Sequence, residues 1–252
     1  MILGVIADDH TGATDVASML VRSGLRTVQI IGVPTDITEA GDVDAVVIAL
    51  KSRTIPADAA IEQSLAALRW LQQRGVQRFY FKYCSTFDST PQGNIGPVAD
   101  ALMQALGTHY CIACPAFPEN QRTIFKGHLF VGELLLSDSG MRNHPLTPMT
   151  DANLVRVLQA QSRSKVGLLS HLQVAKGAEA LGQLVRQKIA EAEKETSGVI
   201  DIADAITNDD LMVLGHALAD LPLVTAGSGL ALGLAAAYIA RGLVKADVHA
   251  AQ

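Results

Sequence analysis

The chain has 252 residues, of which 49% are hydrophobic and 18% charged, enough to bury a sizeable core, and this excludes a disordered tail or a small disulfide-stapled scaffold. Twenty basic against 25 acidic side chains give a formal charge of -5, which argues against a broad basic face for nucleic acid. Three cysteines cannot complete a disulfide framework, and the N-terminus reaches Asp8 and Asp9 without the charged region of a signal peptide; a cytoplasmic protein is expected.

Short apolar runs alternate with helix-period segments, the rhythm of a doubly wound, Rossmann-like parallel sheet flanked by helices. Ile2 to Ala7 reads as the first strand and ends in Asp8-Asp9-His10-Thr11-Gly12. Ala13, Val16, Ala17, Leu20 and Val21 then recur at helical spacing until Gly24. Thr27 to Gly32 is a second strand, and Ala45 to Leu50 a third whose unbroken apolar character suits burial on both faces. It finishes at Lys51-Ser52-Arg53 and leads to a helix from Ala57 to Arg74, stopped by Gly75.

Arg78 to Cys84 is the next strand, followed by the hydroxyl-rich segment Ser85 to Asn94 and a helix starting near Gly96-Pro97. Tyr110 to Cys114 is a strand. Residues 115–150 hold four of the nine prolines with little periodicity, so an irregular insertion or lid outside the core is expected. The rhythm resumes with strand Val166 to Leu169, helix Gly177 to Glu195, strand Val199 to Ile202, helix Asn208 to Leu218, strand Leu223 to Ala226 and helix Leu230 to Leu243. The uncharged run Leu221 to Ala240 has the length of a membrane span; Pro222 and Gly227-Ser228-Gly229 break it into a strand, a turn and a helix instead.

In such sheets ligands sit where loops converge at the carboxyl ends of strands. Asp8 and Asp9 follow one strand, Lys51 and Arg53 another, and Lys82, Ser85, Asp88 and Ser89 a third. Asp9 alone reads equally well as a helix cap, and Lys51 and Arg53 singly read as solvated loop charges. Lys82, within Phe79-Tyr80-Phe81-Lys82-Tyr83-Cys84, needs a paired acid or a bound anion to offset its desolvation. Gly227-Ser228-Gly229 opens a helix and is a candidate cofactor-binding anion turn, with close helix packing as the alternative. Cys111 and Cys114 have dithiol spacing but lie inside a strand, so buried core thiols are expected. No histidine pair has zinc spacing.

Asp8-Asp9-His10-Thr11-Gly12-Ala13-Thr14-Asp15 and Lys82-Tyr83-Cys84-Ser85-Thr86-Phe87-Asp88-Ser89-Thr90-Pro91-Gln92-Gly93-Asn94-Ile95-Gly96 resemble blocks of the four-carbon acid sugar kinases. Within that family the second block looks most like the enzymes acting on 3-oxo-tetronate; relatives acting on threonate or erythronate typically carry arginine where this chain has Gln92. The resemblance implies a sugar-acid-binding domain over residues 1–245, with the family's C-terminal nucleotide-binding domain missing from this chain. It further implies ATP and Mg2+ as cofactors, acting mainly through that second domain, phosphorylation of the terminal hydroxyl, and little activity for this chain alone. The expected partners are a small sugar acid and ATP, with no nucleic acid and no membrane, and a homodimer is left open.

The residues and the resemblance together single out Asp8 and Asp9 as catalytic carboxylates that orient the nucleophilic hydroxyl or accept its proton. Arg53 and Lys82 are the expected cations for the substrate carboxylate, and Ser85, Asp88, Ser89 and Asn94 the partners of its hydroxyl and keto groups. Two other classes remain open: a free-standing acid-binding module without chemistry, and a magnesium-dependent phosphohydrolase, which would want an aspartate where this chain has His10.

Overall fold

Apolar runs of four or five residues, too short for helices and bounded by turn formers, become the strands of one sheet in the computed structural model, which describes residues 1–34 and 41–247. In chain order these are β1 (Leu3–Ala7), β2 (Thr27–Ile31), β3 (Ala45–Ala49), β4 (Phe79–Lys82), β5 (Tyr110–Cys114), then β9 (Lys165–Leu169), β10 (Val199–Ala203) and β11 (Leu223–Ala226). They lie in the spatial order β2-β3-β1-β4-β11-β5-β10-β9, all parallel. The central strands β1, β3, β4, β5 and β11 are buried along their whole length, as a sheet covered on both faces requires.

Helices α1 (His10–Arg22), α6 (Ala178–Ala192), α7 (Asn208–Leu218) and α8 (Leu230–Ala240) pack against one another on one face. On the other face lie α2 (Ala57–Gln72), α3 (Ile95–Leu106) and α4 (Leu154–Gln159). The chain leaves β1 toward β2 and leaves β4 toward β5, in opposite directions across the sheet. With right-handed crossovers the helices after these two neighbouring strands fall on opposite faces, and a crevice opens between the strands' carboxyl ends.

Residues 115–150 depart from expectation. They contain a three-stranded antiparallel sheet of β6 (Arg122–Phe125), β7 (His128–Val131) and β8 (Leu134–Leu135), and they bury Ile124, Leu129, Leu136 and Met149, so the insertion has core of its own. The β6–β7 turn places Lys126 and Gly127 at φ 51 and 73, the doubly left-handed geometry that suits a two-residue hairpin. Asp204, fully buried at the end of β10, accepts the N–H groups of Lys126, Gly127 and His171 at 2.7, 2.8 and 2.9 Å and pins that turn to the main sheet. Two short helices, α4 and α5 (His171–Val174), also lie outside the expected elements.

The uncharged run divides into β11 and α8 as expected, and among the described residues no helix is long and apolar enough to cross a membrane. α8 is apolar all round because it is buried all round. A Cβ on Gly233 would lie 1.9 Å from the Leu211 carbonyl oxygen, so glycine lets α8 pack directly on the backbone of α7. Cys111 and Cys114 are buried, free thiols; three residues apart on β5 they point to opposite faces, and burial pushes the Cys114 thiol up to about 12.

Candidate active site at the carboxyl rim

Parallel pairing continues past the ends of the three central strands and sets the site. Leu50 N–H donates to Ala7 O, Ser52 N–H to Asp8 O, and Asp8 N–H to Lys82 O, at 2.8 to 3.0 Å. The residues after β3, β1 and β4 are thereby held side by side. Arg53 and Asp8 form a bidentate pair, Nε to Oδ2 and Nη2 to Oδ1, both at 2.8 Å. Nη2 also donates to Asp9 Oδ1 at 2.7 Å, and Nη1 lies 3.6 Å from Asp88 Oδ2. One guanidinium thus organises three carboxylates, an assignment that its fixed planar fork suits better than a lysine would.

Burial pushes the Asp8 carboxyl above its ordinary 3.8, and the Arg53 bonds pull against that rise. Burial likewise works against the Arg53 charge, but its bonds to Asp8 outweigh it and hold the guanidinium ionised. Asp9 serves two purposes. Its Oδ1 caps α1 by accepting Gly12 N–H at 2.9 Å while contacting Arg53, and its Oδ2 carries no hydrogen bond among the described residues. Lys51 is exposed, a solvated loop charge.

Lys82 is 3% exposed. Its ammonium donates to Tyr83 O at 2.8 Å, and no carboxylate oxygen among the described residues lies within 4.0 Å of it. A Cβ on Gly12 would come within 2.5 Å of Lys82 Nζ and 2.4 Å of Asp9 Oδ1, so the absence of a side chain there lets both groups reach the start of α1.

The segment after β4 is strained. Phe87 and Asp88 take φ 63 and 25, a left-handed conformation costly for a non-glycine residue. Phe87, fully buried and edge-on to Tyr83, holds it from below, and Thr86 Oγ1 donates to Asp88 Oδ1 at 2.6 Å, which aims Asp88 at Arg53. Ser85 is half-buried at the mouth of the loop.

Asn94 and Ser89 are turned inward. The Asn94 amide donates to the carbonyls of Ser52, Arg53 and Ile55 at 2.8, 3.2 and 2.8 Å, which locks the Arg53 loop. Ser89 Oγ accepts from Gln161 Nε2 at 2.8 Å. Gln161, which sequence reasoning missed, also donates to Thr90 O and accepts Gly96 N–H; it clamps the loop from 72 residues beyond Ser89, and no local pattern marks it.

Gly227, Ser228 and Gly229 are buried beside this cluster, since Ala226 is the register partner of Lys82. A Cβ on Gly227 would lie 2.8 Å from Pro115 O, and one on Gly229 2.5 Å from Ala116 O. Glycine at both positions lets the turn lie directly against the backbone that follows β5. No group of three or more His, Cys, Asp or Glu among the described residues is disposed to hold a metal; the three aspartates converge on Arg53 instead. A cleft of about 570 Å³ lined by His10, Gly32, Lys51 and Glu62 opens next to the rim.

A family model described as "Sugar-binding N-terminal domain" matches residues 3–234. The chain belongs to that family. A 3-oxo-tetronate kinase from Pseudomonas savastanoi pv. phaseolicola is 60% identical over 252 residues, all of this sugar-binding domain and 57% of the relative. Another from Pseudomonas fluorescens is 63% identical over 92% of the domain and 53% of its own length. A Haemophilus influenzae crystal structure superposes with a TM-score of 0.87 at 52% identity, covering 95% of the domain and 56% of that chain. A Bordetella bronchiseptica structure described as a domain-swapped dimer with bound citrate gives 0.76 at 27%, covering 96% and 58%. The domain spans a little over half the length of the curated relatives it matches, and the resemblance read from its two blocks extends over the whole fold.

Proposed function

We propose that this domain, over residues 1–245, captures a four-carbon acid sugar such as 3-oxo-tetronate and orients its terminal 4-hydroxyl for phosphorylation. The reading is carried by the convergence of Asp8, Asp9, Arg53, Lys82 and Asp88 at the β1–β4 crevice of a chain 60% identical to a 3-oxo-tetronate kinase. ATP and Mg2+ would supply the phosphoryl group, and in this reading they are held mainly by the part of the kinase that this domain does not span.

The domain's own residues then have separable roles. Arg53 holds the carboxylates in place instead of clamping substrate. Asp8, with both oxygens bonded to Arg53, is a structural anion, and Asp9, with Oδ2 free at the rim, is the carboxylate that accepts the hydroxyl proton. Lys82 balances the substrate's charge. Asp88 and Ser85 contact its polar groups, while Asn94 and Ser89 hold the loops that present them. The phosphohydrolase alternative loses support here, because a nucleophilic Asp8 would need an oxygen that Arg53 does not occupy.

Calorimetric titration of the 252-residue chain with 3-oxo-tetronate and with ATP tests this. The acid is expected to bind and the nucleotide to bind weakly. Joined to the C-terminal portion of a 3-oxo-tetronate kinase, the chain is expected to turn over, and Asp9→Asn to keep acid affinity while losing turnover at least a hundredfold. Absence of acid binding would overturn the proposal; acid binding without turnover in the joined protein would leave a binding module.

A further inference from the structure

A bound acid brings a carboxylate that needs a cation, and Arg53 is already engaged by Asp8, Asp9 and Asp88. Lys82 is buried and has no ion-pair partner among the described residues. It lies within electrostatic range of Asp8, but a buried ammonium without a close ion pair lacks part of the compensation that ordinarily accompanies burial.

The start of α8 has the matching deficit. Lys82 and Ala226 are register partners, and Tyr83 N–H still pairs with Ala226 O at 3.0 Å, so the next residues of that strand, Gly227 and Ser228, come out beside the end of β4. Tyr80 and Lys82, two apart, share one face of β4. Tyr80 reaches α8 there through a hydroxyl that donates to Gly227 O, and Lys82 reaches Gly12 of α1. α1 and α8 pack together on that face. The backbone N–H groups of Ser228, Gly229 and Leu230 have no acceptor among the described residues. Ser228, 1% exposed, has a buried Oγ with no hydrogen-bond partner. An eleven-residue helix entered through three buried residues whose N–H groups lack acceptors, beside a buried hydroxyl without a partner, is short of an anion.

We propose that the substrate carboxylate is received between Lys82 and the Ser228-Gly229-Leu230 turn at the start of α8, by the ammonium, the free N–H groups and the Ser228 hydroxyl. This rests on the sugar-acid reading above and adds the start of α8 to Lys82 as the anion contact. The ligand enters from the rim of α1, where His10 and Thr11 are exposed.

The test is calorimetry on the 252-residue chain with 3-oxo-tetronate, ATP, and erythrulose, the neutral ketose in which a hydroxymethyl group replaces the carboxylate. Ser228→Ala is expected to weaken acid binding about tenfold, the scale of a hydrogen bond to a charged group, and Lys82→Met by at least as much. Erythrulose affinity is expected to be the same in all three proteins. The Ser228→Ala melting temperature is expected to equal or exceed that of the parent, because the hydroxyl removed has no partner. Acid affinity unchanged in both variants would overturn the inference while leaving the sugar-acid reading intact. So would a Ser228→Ala protein that melts lower and loses acid and ketose alike, or one that loses ATP binding alone. A parent chain that binds neither acid nor ketose would overturn both.

Discussion

Replacing Arg53 by methionine keeps an unbranched apolar stem and removes the guanidinium with its charge. Asp8, whose side chain is 6% exposed, then loses both of its 2.8 Å partners, and Asp9 and Asp88 lose their shared cation. Arg53 itself is only 21% exposed, so solvent screens the pair weakly, and removing one member of a buried pair costs about 3–5 kcal/mol. Asp8 can relieve part of that cost by binding a proton. Its folded-state pKa already lies above 3.8 because of burial and rises further once Arg53 is gone. A carboxyl raised in the folded state stabilises below its unfolded value, and that contribution is lost as pH rises through the folded value. The deficit of Arg53→Met is therefore expected to be small near pH 4 and to grow toward neutrality. Urea unfolding at several pH values measures it, and a cycle with Asp8→Asn isolates the pair, with an expected coupling of about 2 kcal/mol or more. A variant within about 1 kcal/mol of the parent at pH 7, or a deficit independent of pH, would show that the guanidinium does not hold the carboxylates together, against the cost expected for a broken buried pair.

Three further outcomes follow from other contacts. Asn94→Ala leaves three loop carbonyls without their donor and is expected to cost about 2–3 kcal/mol in denaturant unfolding; a loss under about 0.5 kcal/mol would remove the amide from its role as a loop lock. Gly233→Ala puts a methyl 1.9 Å from a backbone oxygen, and overpacking of about 3 kcal/mol outweighs the roughly 1 kcal/mol gained in helix propensity, so its thermal midpoint is expected to fall. Asp44 is held below its ordinary 3.8 chiefly by its hydrogen bond to Arg26. A depressed carboxyl stabilises above its unfolded value and stops doing so as pH falls through the folded one. The stability gap between the parent and Asp44→Asn is thus expected to be constant at neutral pH and to close below pH 3.8, as followed by acid unfolding.

Much of the sheet is legible in the chain because its strands are buried on both faces and read as unbroken apolar runs, such as Ala45–Ala49 and Leu223–Ala226. Strand ends flag the site for the same reason: charges that follow such runs must emerge at the rim. The insertion is opaque because its strands, of two to four residues, are half-exposed, and its hairpin turn depends on Asp204, nearly 80 residues further along. The Lys126-Gly127 pair is its one local signal. Individual roles at the rim are harder still. Whether an arginine faces ligand or internal carboxylates depends on three separate loops, and Asn94, a plausible ligand contact by residue type, is turned toward the Arg53 loop by where the β4–α3 connection passes.

The most direct measurement is a crystal structure of this chain with 3-oxo-tetronate bound. The acid is expected at the carboxyl ends of β1 and β4, its 4-hydroxyl within hydrogen-bond reach of Asp9 Oδ2, about 3 Å, and its charged end toward Lys82. Density for the acid in the cleft of about 490 Å³ at the opposite, amino end of the sheet, lined by Asp100, His109 and Arg163, with the β1–β4 crevice empty, would contradict it.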